Sequence, residues 1–218
     1  DSARKEPLIV VGNEYSTPVN VLSGDGKLLW QNWEQVGSES KSKTEYMGFH
    51  LTSMLFLDAD GDGKQDIVFG TKYNRIYAVD AVDGSLKWSA NTGDEVNVIK
   101  SFNGGIAAGS AGGDLILLTR RGVRGRSLSF DSPVVDLSVL DLKNRKRSDL
   151  AVLLKDGRVV VVDSALTLRG HYNTGIKTPI KLITVAAQET EFLLQIIGRN
   201  KIATLRHTPH FRRLSRFY

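Results

Sequence analysis

The sequence predicts an all-β fold built from one four-strand unit repeated along the chain, and three observations carry that prediction. Short apolar runs such as Ile67-Val68-Phe69, Ile76-Tyr77-Ala78-Val79 and Val159-Val160-Val161-Val162 alternate with turns rich in Gly, Asn and Asp, the punctuation of strands joined by hairpins. The chain also repeats itself, because an offset of 83 residues carries Asp58, Asp66, Arg75 and Asp80 onto Asp141, Asp149, Arg158 and Asp163. Within each unit the inner runs are continuously apolar, as strands covered on both faces are, whereas the last run mixes polar with apolar residues, as an edge that meets water does. A four-strand unit recurring every ~40–45 residues is one blade of a β-propeller.

About five four-stranded blades are expected, over 7–33, 51–91, 95–130, 133–173 and 178–218, in a single β-propeller domain spanning 1–218. The first is incomplete. Residues 1–6 are polar, and the run that begins at Leu8 matches the second strand of a blade. An innermost strand is therefore missing from the N-terminus, another segment supplies it, or the chain is an arc of a larger propeller. A second offset, of 58 residues, places Gly12, Asp25, Gly26, Leu28 and Trp30 on Gly70, Asp83, Gly84, Leu86 and Trp88. The extra length between the first two blades falls in 34–50, an insertion rich in Ser, Lys and Glu that reads as an exposed loop.

The second blade shows its strands best, at 53–57, 66–71, 75–81 and 86–90. In the third, Gly109-Ser110-Ala111-Gly112-Gly113 is a hairpin turn, since a phosphate loop would need a following Lys and a helix. The fourth follows from the offset of 83. The fifth has Phe192 to Gly198 and Lys201 to Arg206 as its middle runs, and 210–218 alternates apolar and basic residues like an outermost edge strand.

One turn carries chemistry. The stretch Asp58-Ala59-Asp60-Gly61-Asp62-Gly63-Lys64-Gln65-Asp66 crowds four carboxylates that repel one another unless a cation sits among them. Hard oxygen donors at alternate positions select a hard cation, and calcium is the expected ion. Gly61 and Gly63 let the backbone fold over it, and the Lys64 carbonyl offers a further oxygen. An EF-hand would need a bidentate Glu at its twelfth position, where this chain has Phe69. The corresponding turn at 141–149 keeps Asp141 and Asp149 but places Lys143 and Arg145 at the third and fifth positions, so calcium is excluded there and ion pairs are expected to hold the turn.

With Asp66-Ile67-Val68-Phe69-Gly70-Thr71 following the acidic turn, this segment resembles the FG-GAP repeats of integrin-like β-propellers. The resemblance implies a calcium site with Asp58, Asp60, Asp62 and Asp66 as side-chain ligands and Lys64 contributing its carbonyl. The run from Ala78 to Trp88 is similar to a second signature, the Ala-x-Asp-x-x-x-Gly-x-x-x-Trp motif of pyrroloquinoline-quinone-like propellers. Asp83-Gly84 makes the tight turn of that motif, and Trp88 docks its ring between blades. The quinone itself is not expected, because such a site requires a funnel-top cluster of carboxylates, Arg and aromatics, and the enzymes of that family have seven or eight blades.

Composition narrows the function. There is no cysteine, hence no disulfide framework, zinc–thiolate site or thiol nucleophile. No apolar run approaches the roughly 20 residues that span a bilayer. Residues 1–110 carry 10 Lys/Arg against 15 Asp/Glu, and 111–218 carry 19 against 9. The basic half lacks the interleaved aromatics of a nucleic-acid platform, so Arg120, Arg121, Arg124 and Arg126 read as solvated loop and edge charges. His50, His171, His207 and His210 are dispersed and no Gly-x-Ser-x-Gly elbow occurs, so no enzyme is expected. The resemblance implies a non-enzymatic, calcium-stabilised module, extracellular or periplasmic, that engages a protein or glycan ligand or self-assembles through a shared strand. The alternative is a propeller domain of an intracellular trafficking or coat scaffold, and a quinoprotein-type enzyme ranks last.

Overall fold

Eighteen strands and no helix make up the residues that the computed structural model describes, 7–12, 19–32, 50–141, 147–188 and 191–207. The insertion apart from His50, the centre of the 141–149 turn with Lys143 and Arg145, and the run 210–218 lie outside them. The chain divides into two compact units, 1–99 with 120–123, and 100–119 with 124–218.

The first sheet pairs β1 (Ile9–Gly12), β2 (Val19–Leu22) and β3 (Leu28–Asn32) in that order. The second, also in chain order, holds β4 (Leu51–Leu57), β5 (Asp66–Thr71), β6 (Arg75–Val79) and β7 (Leu86–Asn91). A third contains β8 (Val96–Phe102), β9 (Gly105–Ser110), β10 (Asp114–Thr119) and β11 (Arg124–Ser129). The fourth runs from β12 (Val134–Leu140) through β13 (Asp149–Leu154) and β14 (Arg158–Val162) to β15 (Leu168–Asn173). Last come β16 (Pro179–Gln188), β17 (Glu191–Gly198) and β18 (Ile202–His207), a sheet of three described strands.

Burial follows the grading read from the sequence. Every residue of β5, β9 and β13 is buried, whereas β11 is exposed at all positions but Leu128. In the first unit the core joins Val19 and Val21 of β2 to Ile67 and Phe69 of β5 and Tyr77 and Val79 of β6. Phe69 and Tyr77 are cross-strand partners, and their rings stack with centroids 5.5 Å apart. In the second unit Ala151, Leu153, Val159 and Val161 pack with Leu182, Phe192, Leu194 and Ile196. Each such fully buried aliphatic or aromatic side chain contributes about 1.5–3 kcal/mol.

Polar ties supplement the apolar packing inside each unit. Ser53 Oγ accepts the Ile99 N–H at 3.1 Å. Asp136, nearly inaccessible, accepts the Leu182 N–H at 2.9 Å and lies 3.1 Å from Lys181 Nζ. Several strand ends differ from the sequence reading: β7 and β17 by one residue at an end, β18 by one at each end, and β4 and β6 by two, since β4 starts at Leu51 and β6 stops at Val79. The early end of β6 arises because Asp80 Oδ1 accepts the Val82 N–H at 2.7 Å and folds Asp80 and Ala81 into the turn.

Tryptophans fix the sheet-to-turn contacts of the first unit. Trp30 donates to the Ala81 carbonyl at 3.0 Å, and its ring lies on Gly84, where a Cβ would come within 2.7 Å of it. Trp88 donates to the Ala59 carbonyl at 3.2 Å and covers Gly122 in the same manner, at 2.5 Å. Both glycines have a left-handed backbone, φ 76° in each case, so neither space nor conformation admits another residue. In the second unit Arg126 stands where Trp30 and Trp88 do, four residues after the turn glycine, and reaches the Ala165 carbonyl at 3.5 Å.

Candidate metal centre

The acidic turn joins β4 to β5, whose ends are fixed by the pairing of Leu57 with Asp66. Between them the chain doubles over through Gly61 and Gly63, at φ 94° and 85°, where a side chain would be strained. The carboxylates hold this path by capping it. Asp58 accepts from the Gly61 N–H at 2.6 Å and the Gly63 N–H at 3.3 Å, Asp60 from the Asp62 N–H at 3.1 Å, and Asp62 from the Lys64 N–H at 2.8 Å. Asp66 lies at the bottom, 2% exposed, and accepts the Ala59 N–H at 2.8 Å.

This folding brings three carboxylates together. Asp58, Asp60 and Asp66 each place one oxygen within 4.8 Å of the others. Two oxygens that ligate one calcium ion at about 2.3–2.6 Å stand no more than about 5 Å apart, so the group fits a shared ion. Asp62 stands outside it and pairs with Lys64 Nζ at 3.6 Å.

The turn already carries positive charge from elsewhere in its unit. Lys87 Nζ, on β7, sits 2.8 Å from Asp60 and 3.0 Å from Asp80, and these two hydrogen bonds raise the lysine pKa above its ordinary value. The same ammonium holds the Asp60 carboxyl below the usual carboxylate range. Asp80 is lowered too, first by the Val82 N–H and then by Lys87 against the opposing effect of burial. Arg120 approaches Asp58 at 3.5 Å, and Arg121 donates to the Asp60 carbonyl at 3.1 Å. Asp66 behaves oppositely: burial pushes its carboxyl up, and the Ala59 N–H only partly offsets that. Lys64, Lys87 and Arg120 thus pair with Asp62, Asp60 and Asp58, and among the described residues the buried Asp66 is the carboxylate of the turn with no salt-bridge partner.

Arg120 and Arg121 are exposed, as the sequence reading expects of solvated charges, and the structure adds their contacts to the acidic turn. They close over Gly61, where an added Cβ would lie 2.8 Å from the Arg120 guanidinium. Arg124 and Arg126 match the reading too, being exposed on β11. In the fourth sheet the end aspartates survive with other partners: Asp141 accepts from Ser148 Oγ at 3.3 Å, and Asp149 is buried. The histidines described take packing and surface positions, as the sequence reading has them. His207 is fully buried, with Nδ1 2.7 Å from the Tyr172 hydroxyl, whereas His171 lies exposed on β15.

No family model and no curated protein matches the sequence. Solved structures do match the fold. Over 93% of this chain it superimposes on 62% of BBS1N, crystallised in complex with ARL6DN, with a TM-score of 0.69 at 14% identity. Sqt1 of Saccharomyces cerevisiae gives 0.72 at 14% identity over 95% of this chain and 57% of its own, and the computationally designed Ika8 protein 0.68 at 16% over 92% and 55%. The chain therefore spans about three-fifths of the length of the structures it matches. At these identities the likeness defines the fold, and that fold is a β-propeller.

Proposed function

We propose that this chain is a non-catalytic β-propeller module that binds a protein partner and belongs to an intracellular scaffold of the trafficking or coat type. The observation that supports this reading best is the BBS1N likeness, since a propeller matching 93% of this chain was crystallised with a protein bound to it. The physical basis is a division of labour: wholly buried second strands such as β5 and β13 make a rigid base, and exposed turns at their ends are free to vary and make contacts. The test is reconstitution. A partner found by proximity labelling of the chain inside cells is purified, and its binding is measured by calorimetry. Micromolar or tighter one-to-one binding supports the module; association with glycans alone, or with no purified protein, overturns it.

A second reading, a calcium-stabilised module outside the cell, draws on the Asp58, Asp60 and Asp66 group. There the ion would be held by those three carboxylates and would supply positive charge that pins the turn. Asp58 and Asp60 orient by accepting turn N–H groups, and Asp66 anchors the arrangement to β5.

A further inference from the structure

The second unit contains a cavity of about 200 Å³ between the 174–178 loop and the 199–201 turn that joins β17 to β18. Its walls carry Lys177, Arg199 and Lys201, with Thr178 and Asn200 as neutral hydrogen-bonding groups, and no carboxylate lines it. Buried Ile176 forms its floor, and Gly175 opens the rim at φ 67° with no atom within 4 Å of where a Cβ would stand.

Among the described residues, four cations of this unit are held by carboxylates. Arg158 holds Asp131 and Asp156, Arg169 holds Asp163 at 2.6 Å, Lys181 holds Asp136 at 3.1 Å and Arg206 holds Glu191 at 3.7 Å. Among the described residues no carboxylate lies within salt-bridge distance of Lys177, Arg199 or Lys201. Three like charges gathered at one recess repel unless an anion joins them.

We infer that this recess is an oxyanion site that receives a phosphorylated side chain of the protein partner. Size argues for a single group, because small-molecule pockets occupy about 300–1,000 Å³ and this cavity is smaller. Charge argues for phosphate over carboxylate, since a phosphoryl group brings about −1.5 to −2 charge and three acceptor oxygens to three cationic donors. Arg199 offers a planar fork and the lysines point charges, the combination that clamps a phosphoryl group. The peptide carrier, though not the anion chemistry, rests on the interaction-module reading.

The test titrates a glycine-flanked phosphoserine peptide, its unphosphorylated twin and inorganic phosphate into the full chain, followed by calorimetry. The expected result is binding of the phosphopeptide, at least tenfold weaker binding of the twin, and a loss of at least tenfold in the triple variant Lys177→Gln, Arg199→Gln, Lys201→Gln. The charge-matched control Lys72→Gln, Lys155→Gln, Arg124→Gln keeps full affinity, and all the changed residues are exposed, so unchanged melting certifies folding. Equal affinity for the two peptides, or for the triple variant and the native chain, overturns the site. Triple-sensitive binding to phosphatidylserine vesicles without phosphopeptide binding overturns the peptide assignment and assigns a membrane instead. Failure of the interaction-module reading would show separately, as absence of any reconstituted protein partner while phosphate still binds in a triple-sensitive way.

Discussion

The second and fourth sheets are built on one plan, with the same aspartate clamp after their third strands, but they close that turn with different residues. In each, a wholly buried second strand pairs with a third that opens on arginine, Arg75 or Arg158, and is followed by an aspartate that caps the turn. Asp80 accepts the Val82 N–H at 2.7 Å and pairs with Lys87; Asp163 accepts the Ala165 N–H at 2.8 Å and pairs with Arg169. The turns then diverge. Gly84 sits at φ 76° under the Trp30 ring, whereas the fourth sheet has Leu166 at φ 64°, a non-glycine residue in a left-handed conformation that costs about 1–2 kcal/mol. The comparison teaches that the aspartate clamp defines the turn and that the glycine exists for the tryptophan above it.

The sharpest way to break that contrast is at these two positions. Gly84→Ala adds a Cβ 2.7 Å from an aromatic ring at an unfavourable φ, and we expect a loss of about 2–4 kcal/mol in urea unfolding. Leu166→Gly should change stability by less than about 1 kcal/mol, as relieved backbone strain offsets lost burial. Comparable losses at both sites would show that the glycine serves the turn itself.

Next in size is the metal effect, which should separate the two sheets. If calcium binds among Asp58, Asp60 and Asp66, a concentration one hundredfold above its Kd adds about 2.7 kcal/mol, or about 5–10 °C in Tm for a chain of this length. Asp58→Asn or Asp60→Asn should abolish the gain and Asp141→Asn should leave it intact. A Tm indifferent to both chelator and excess calcium removes the metal from the second sheet.

Asp66→Asn sharpens the same point with a change of sign. Burial raises the Asp66 pKa, so its ionised form opposes folding at neutral pH, and that penalty is relieved as pH falls through the raised folded value. In chelator the asparagine variant should therefore melt at or above the native temperature, and in calcium below it. Destabilisation in both buffers would mean that Asp66 acts as a charged cap with no need of an ion.

The smallest expected effect lies in the acid limb. Asp60 and Asp80 have depressed pKa values, so the stability they provide is present above the ordinary carboxylate pKa of about 4 and is lost as pH falls through their lower folded values. Lys87→Met should flatten the pH dependence of Tm in that window. Arg169→Met should do the same through Asp163, where burial raises the pKa but the Thr167 and Ala165 N–H groups and Arg169 together outweigh it. An unchanged slope in either variant would show that backbone donors alone depress that aspartate.

The fold was legible where a signal is local. The apolar runs 67–69 and 150–154 lie in wholly buried strands, and Asp83-Gly84 marked its turn. The acidic turn was legible as a crowd of carboxylates, but its counter-ions were not. Lys87 is recoverable in retrospect, because pairing of Val79 with Leu86 closes the hairpin and returns the next residue toward Asp80. Arg120 and Arg121 are not, since they lie some sixty residues beyond Asp58 and Asp60 in the chain and meet them only through tertiary packing. The Tyr172 and His207 pair was hidden for the same reason: two separate strands each contribute one half.

The tryptophan contacts have a directional grammar. The second sheet presents a socket at Gly84 and a knob at Trp88, so one such unit placed after another would meet a fitting surface without redesign. The fourth offers Leu166 and Gly170 at those places and could neither receive nor supply the knob. Tandem duplication of 51–91 is thus sterically permitted at once, whereas copies of 133–173 would first have to acquire both halves of the joint.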